Sequence, residues 1–127
     1  TELKSYITVN DFGTQINPML VEGQLHGGVV QGIGQTLGEL TAYDAEGQLL
    51  SGSYMDYGIP RASQLPDISV LNHPVPATTN PLGVKGCGEA GAIGASAAVI
   101  NAITDAIGSH KLEMPATPDR VWHAIHG

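Results

Sequence analysis

Residues 83–94, GVKGCGEAGAIG, place a carboxylate, Glu89, a cation, Lys85, and a thiol, Cys87, in a loop made mostly of bare backbone, with five glycines in twelve positions. A carboxylate in such a setting can accept a proton from a bound reactant, and uncovered peptide N–H groups can cradle an anionic ligand. The loop runs into AIGASAAVINAITDAIG, whose apolar spacing predicts a helix that stops at Gly108. Glu89 then falls near a helix N-terminus, where partial positive charge collects. A tight connection followed by an acidic dipole partner has the same local pattern, so the loop alone does not separate chemistry from architecture.

Gln31 and Gln35 form a second group with chemical capacity, since each amide both donates and accepts hydrogen bonds. They lie in a segment launched by Asn17-Pro18, where Leu25, Val29, Ile33, Leu37 and Leu40 recur with helical spacing. Gly23, Gly27, Gly28, Gly32, Gly34 and Gly38 interrupt this helix. At helix-interior costs these glycines weaken it by about 5 kcal/mol relative to alanine. Something must offset that, either a closely packed backbone or a bulky ligand lying against the small residues.

Other motifs carry less. Gly86 to Gly91 matches GxGxxG, but Asn80-Pro81-Leu82-Gly83-Val84-Lys85 before it is not a buried apolar strand, and no strand ending in an acid follows the helix. No phosphate-binding GxxxxGK[ST] occurs. His123 and His126 with Asp119 have the spacing of a partial metal site near the chain end, without an evident third ligand of suitable geometry. His26, His73 and His110 are isolated, and Cys87 has no paired histidine to activate it as a nucleophile.

The elements that must position these groups are a strand over Leu3–Val9, the glycine-rich helix, a strand over Leu49–Tyr57, a short strand over Ile68–Asn72, and an extended proline-containing stretch over His73–Pro81. The helix after Glu89 is expected to bury Ile93, Ala97, Ile100, Ile103 or Thr104, and Ile107. Thr117-Pro118-Asp119 predicts a last helix, with Thr117 as N-cap and proline at the first position. This is an α/β or α+β arrangement, a single domain or domain fragment over residues 1–127, in which the glycine-rich helix and the glycine-rich loop face one cavity.

A net charge of −7 with no Lys/Arg cluster argues against nucleic acid or an anionic membrane as partner. One cysteine excludes an internal disulfide and cannot hold an iron–sulfur cluster. The run from Leu20 to Leu40 carries Glu22, Gln24, His26, Gln31, Gln35 and Glu39 and is no membrane span. TELKSYITV lacks a signal peptide's pattern and an initiator Met, which suggests a cytoplasmic protein and a natural N-terminus upstream of Thr1.

Taken together, VEGQLHGGVVQGIGQTLGE and NPLGVKGCGEAGAIGASAAVINAITDA resemble the C-terminal part of the molybdenum-binding subunit of the xanthine dehydrogenase and aldehyde oxidase family, with the likeness nearest to the aerobic carbon monoxide dehydrogenase large subunit. The opening strand with DFG and NPML, SYMDYGIPRASQLPDI and MPATPDRVWHAI are also similar, so the resemblance covers nearly the whole chain. It implies that Glu89 is the general base facing molybdenum. Gln31 and the adjoining Gly32 would contact molybdopterin, and Lys85, Gly86, Cys87 and Gly88 would bracket the metal and meet the pterin through their backbone. The molybdenum, held through the pterin without a direct protein ligand, would pass electrons to iron–sulfur and FAD groups on partner domains or subunits. The pterin's cytosine dinucleotide form is one option, and carbon monoxide, aldehydes and N-heterocycles are all open as small-molecule substrates. On this reading the chain is a piece of a larger oxidoreductase, inactive alone. The competing readings are a non-catalytic packing or assembly module and a dinucleotide-binding module.

Overall fold

A computed structural model describes residues 1–127. Strands β1 (Ser5–Asn10) and β2 (Asp67–Asn72) pair in parallel, in register from Ser5 opposite Asp67 to Asn10 opposite Asn72. Parallel neighbours require a crossover, which helix α1 (Pro18–Leu37) and the largely irregular segment 38–66 provide. The alternation in β1 turns Tyr6 and Thr8 inward and leaves Ile7 and Val9 exposed on the outer face.

Helix α1 begins where the sequence predicts, because the Asn17 side chain accepts a hydrogen bond from the Leu20 N–H and Pro18 needs no donor at the first position. Leu25, Val29 and Ile33 form its buried stripe. The helix stops at Gly38, so Leu40 lies beyond it and is exposed. Helix α2 (Ala90–Ile107) ends at Gly108, which takes the left-handed conformation. Helix α3 (Pro118–His126) is capped by Thr117, whose side chain accepts from the Arg120 N–H.

The core joins Val29 and Ile33 of α1, Val99 and Ile103 of α2, and Leu112 and Ala116 of the following segment. Thr36 is buried at this contact and donates to the Gly32 carbonyl at 2.8 Å. By length and mean hydropathy, 1.4 over 18 residues, α2 could cross a membrane, but its Gly91, Ala95, Val99 and Ile103 face is buried.

Two expectations fail. Of the expected buried face of α2, Ile103 is buried and Ile100 and Ile107 pack against the core, but Ala97 is exposed and Ile93 is 80% exposed. The two helices approach so closely that only small residues, Gly91 and Ala95, fit near the N-terminal contact, and this outweighs the larger apolar area of isoleucine. The segment Leu49–Tyr57 forms no strand; Leu49 makes one antiparallel bridge to Tyr43, closing the turn at Asp44. Asp44 and Ser53 side chains accept bonds from neighbouring backbone N–H groups, a local alternative to a ladder that has no partner strand here.

Candidate functional site

The loop from Gly83 to Gly88 is fixed before it reaches α2. Gly83 and Gly13 both take positive φ, and a Cβ at Gly13 would collide with the Gly83 carbonyl oxygen. That oxygen accepts from the N–H groups of Thr14 and Ala77, each at 3.0 Å. Asn80 holds Val84 from both sides, donating to its carbonyl at 3.0 Å and accepting from its N–H at 3.1 Å. Lys85 donates its backbone N–H to Phe12 O and pairs its ammonium with Asp11 Oδ2. Asp11 Oδ1 accepts from Gly13 and Val75 N–H, both at 2.9 Å. The Lys85 ammonium, then the Val75 and Gly13 N–H groups, hold the Asp11 carboxyl down to about 2.

Glu89 occupies the N-cap position of α2, but its side chain caps no N–H of the helix. Its backbone carbonyl instead accepts from Ala92 and Ile93, which leaves the exposed carboxylate uncommitted to the helix. It stands at a groove of about 440 Å³ between α1 and the start of α2. Gln24, Gly27, Gly28 and Gln31 line it from α1, and Gly88, Glu89, Ala92 and Ile93 from the other side.

Of the residues selected from the sequence, Gln31, Gly88 and Glu89 thus meet at one groove. Gly32 does not line it. This glycine is buried toward α2, where a Cβ would lie 2.5 Å from the Ala95 Cβ. Lys85, Gly86 and Cys87 lie on the approach to the groove without lining it, and Lys85 is turned to Asp11. Gln35 lies within 3.4 Å of the Ser96 hydroxyl, which donates to it. His123 and Asp119 approach to 3.6 Å, while His126 stacks on Trp122 and no third ligand joins them. The segment preceding Gly86 is turn and isolated bridge, without the strand that a dinucleotide fingerprint needs.

Gln24 is the polar groove side chain that sequence reasoning missed, along with the lining residues Gly27, Gly28, Ala92 and Ile93. A signal existed for Gln24, because it lies seven residues before Gln31, two turns back on the same helical face. Asp11 lies in the turn just past β1, and its pairing partner is 74 positions away, beyond the reach of local sequence pattern.

The groove suits a ligand that lies against backbone. A Cβ added at Gly27 or Gly86 would meet nothing within 4 Å, and one at Gly88 only the Gln24 amide nitrogen at 3.8 Å. Nothing within the chain requires glycine for space at these positions. Exposed amides on one wall, backbone opposite and a free carboxylate at the helix start offer hydrogen-bond donors and acceptors to a polar ligand.

Comparison with known proteins finds relatives along nearly the whole chain. The sequence model of the molybdopterin cofactor-binding domain matches residues 1–66. The chain is 44% identical to the nicotine 6-hydroxylase large subunit of Paenarthrobacter nicotinovorans, over 99% of its own length and 16% of that protein. It is 35% identical to the carbon monoxide dehydrogenase large chain of Hydrogenophaga pseudoflava, over 98% of its length and again 16% of the relative. Quinoline 2-oxidoreductase from Pseudomonas putida 86 superposes with a TM-score of 0.90 at 41% identity, covering 98% of this chain and 16% of that one. The chain belongs to the molybdopterin cofactor-binding domain family, and its likeness to the molybdenum subunits of the xanthine dehydrogenase family extends along nearly its full length.

Proposed function

We propose that this chain forms one wall of the molybdopterin site of a molybdenum hydroxylase, with Glu89 as general base. The observation that carries the proposal is the Glu89 carboxylate, unused as a helix cap and placed at a groove walled by Gln24 and Gln31. When bound, the molybdenum cofactor would supply oxygen transfer and accept two electrons. The chain's own part is to bind and to move a proton. Gln31 and Gln24 would hydrogen-bond pterin heteroatoms, and Gly86, Cys87 and Gly88 would offer backbone N–H groups where larger side chains would obstruct approach. Lys85 would hold the loop in place, and Gly32 would set the helix spacing behind the groove. Glu89 would take up the proton released as substrate is hydroxylated.

The proposed substrate class is an aromatic N-heterocycle. Two relatives whose names specify such compounds, nicotine and quinoline, match at 44% and 41% identity, against 35% for the carbon monoxide dehydrogenase chain. The remaining cofactor contacts are assigned to the rest of a molybdenum subunit, in the cytoplasm, with iron–sulfur and FAD groups on partner subunits receiving the electrons. Ile7, Val9 and Leu71, each more than half exposed on the outer sheet face, are consistent with burial against further protein. The cytosine dinucleotide form of the pterin is proposed as well, and release of CMP on acid hydrolysis of the holoenzyme checks it.

The decisive variant is Glu89→Gln in the complete, cofactor-loaded protein. Turnover should fall by about 10²- to 10⁴-fold, the usual worth of a general base, while the molybdenum-to-protein ratio stays at the wild-type level. Unchanged turnover would favour the packing-module reading, which draws its own support from Gly28, Gly32 and Gly91 at the helix contact.

A further inference from the structure

Glu89 is held at the groove by a loop with little internal structure. Between Gly83 and Glu89 the backbone has no helix or ladder to stiffen it, and the Gly86 and Gly88 positions carry no side chain to pack. Its rigidity must come from contacts at its entry. One side chain there joins its own turn to two distant pieces of chain. Asp11, just past the end of β1, takes the Lys85 ammonium on Oδ2, and the Val75 and Gly13 N–H groups on Oδ1. The two side chains remain partly open to solvent, at 34% for Lys85 and 35% for Asp11, and the pair is backed by the two backbone bonds to Oδ1.

We propose that Asp11 is a positioning residue for Glu89, joining the end of β1, the segment at Val75 and the loop at Lys85 so that the carboxylate four residues beyond Lys85 is delivered to the groove in one place. The link from this clamp to turnover rests on the role of Glu89 proposed above; the link from the clamp to loop order does not. The Lys85 ammonium serves here as a tether, and the loop's contribution to a bound ligand comes from its backbone and from Glu89.

The test compares Asp11→Asn, Lys85→Met and the double variant in the complete, cofactor-loaded protein. Asp11→Asn keeps a carbonyl oxygen for the Gly13 and Val75 N–H groups, and Lys85→Met leaves both of those bonds intact, so each removes the ion pair with limited damage elsewhere. Each single variant should speed amide hydrogen exchange over residues 86–92 and lower kcat about tenfold with KM little changed, because a displaced base loses rate more than binding. The double variant should be no worse than the poorer single one, the non-additivity of two halves of one contact. Losses that multiply in the double variant, or unchanged exchange over residues 86–92, would overturn the clamp. Faster exchange with unchanged kcat would overturn the positioning of Glu89. If Glu89→Gln retains turnover while exchange still couples Asp11 to Lys85, the catalytic reading has failed and the clamp itself stands.

Discussion

A methyl group added at Gly28 would lie 2.8 Å from the Ala92 backbone nitrogen, whereas one added at Gly27, the preceding residue of α1, would meet nothing within 4 Å. The first glycine belongs to a set with Gly32 and Gly91, where two helix backbones approach too closely for a side chain. The second belongs to a set with Gly86 and Gly88, which face open space at or beside the groove. Within the isolated helix Gly27 and Gly28 carry the same penalty, and only contacts made elsewhere distinguish them. Packing between α1 and α2 accounts for the first set. On the proposed function, a ligand lying close to the backbone would account for the second.

The largest stability effect expected from this division is at Gly91. Gly91→Ala places a Cβ 2.5 Å from the Leu25 carbonyl oxygen and 2.9 Å from the Val29 nitrogen, so the helices must separate. Unfolding free energy should fall by about 1–3 kcal/mol, measurable by denaturant titration. Gly27→Ala should act in the opposite direction, stabilising the cofactor-free fold by about 0.5–1 kcal/mol, because alanine is the better helix former and meets no obstacle. Equal destabilisation by the two variants would remove the distinction between the sets.

The smallest effect concerns acid. Asp11 has its carboxyl depressed to about 2 in the folded chain, so its contribution to stability is complete above the unfolded value of about 3.9 and is lost as pH falls toward 2. Exchange protection over residues 86–92 should therefore persist at pH 5 and decline below about pH 4. In Asp11→Asn that decline should be absent, with exchange already fast at pH 5.

The sequence revealed the elements better than their contacts. The Leu25, Val29 and Ile33 stripe, the helix start at Asn17-Pro18, the Thr117 cap and the stop at Gly108 are local signals, and each appears as expected. The inward face of α2 was misread at its N-terminal end because side-chain size points to Ile93, while backbone approach demands Gly91 and Ala95. The Leu49–Tyr57 region carries strand-like residues, but strand formation also requires a partner that this chain does not place beside it. At the site, Glu89 and Gln31 are far apart in sequence, and no spacing rule brings them together; their chemistry singles them out, the family resemblance implies their roles, and the helix contact juxtaposes them. Gln24 was legible from periodicity with Gln31. The Asp11 turn to Gly13 was also legible locally, but its link to Lys85 depends on the return of the chain through β2 and Val75.

The most direct test of the central claim is the molybdenum-to-protein ratio of Gly27→Leu in the complete protein, measured beside its melting temperature. Leucine is a good helix former at a position with open space, so the cofactor-free variant should melt no lower than cofactor-free wild type, while the side chain intrudes into the groove. The account predicts loss of most of the molybdenum from a fully folded protein. Full molybdenum occupancy in that variant would contradict it.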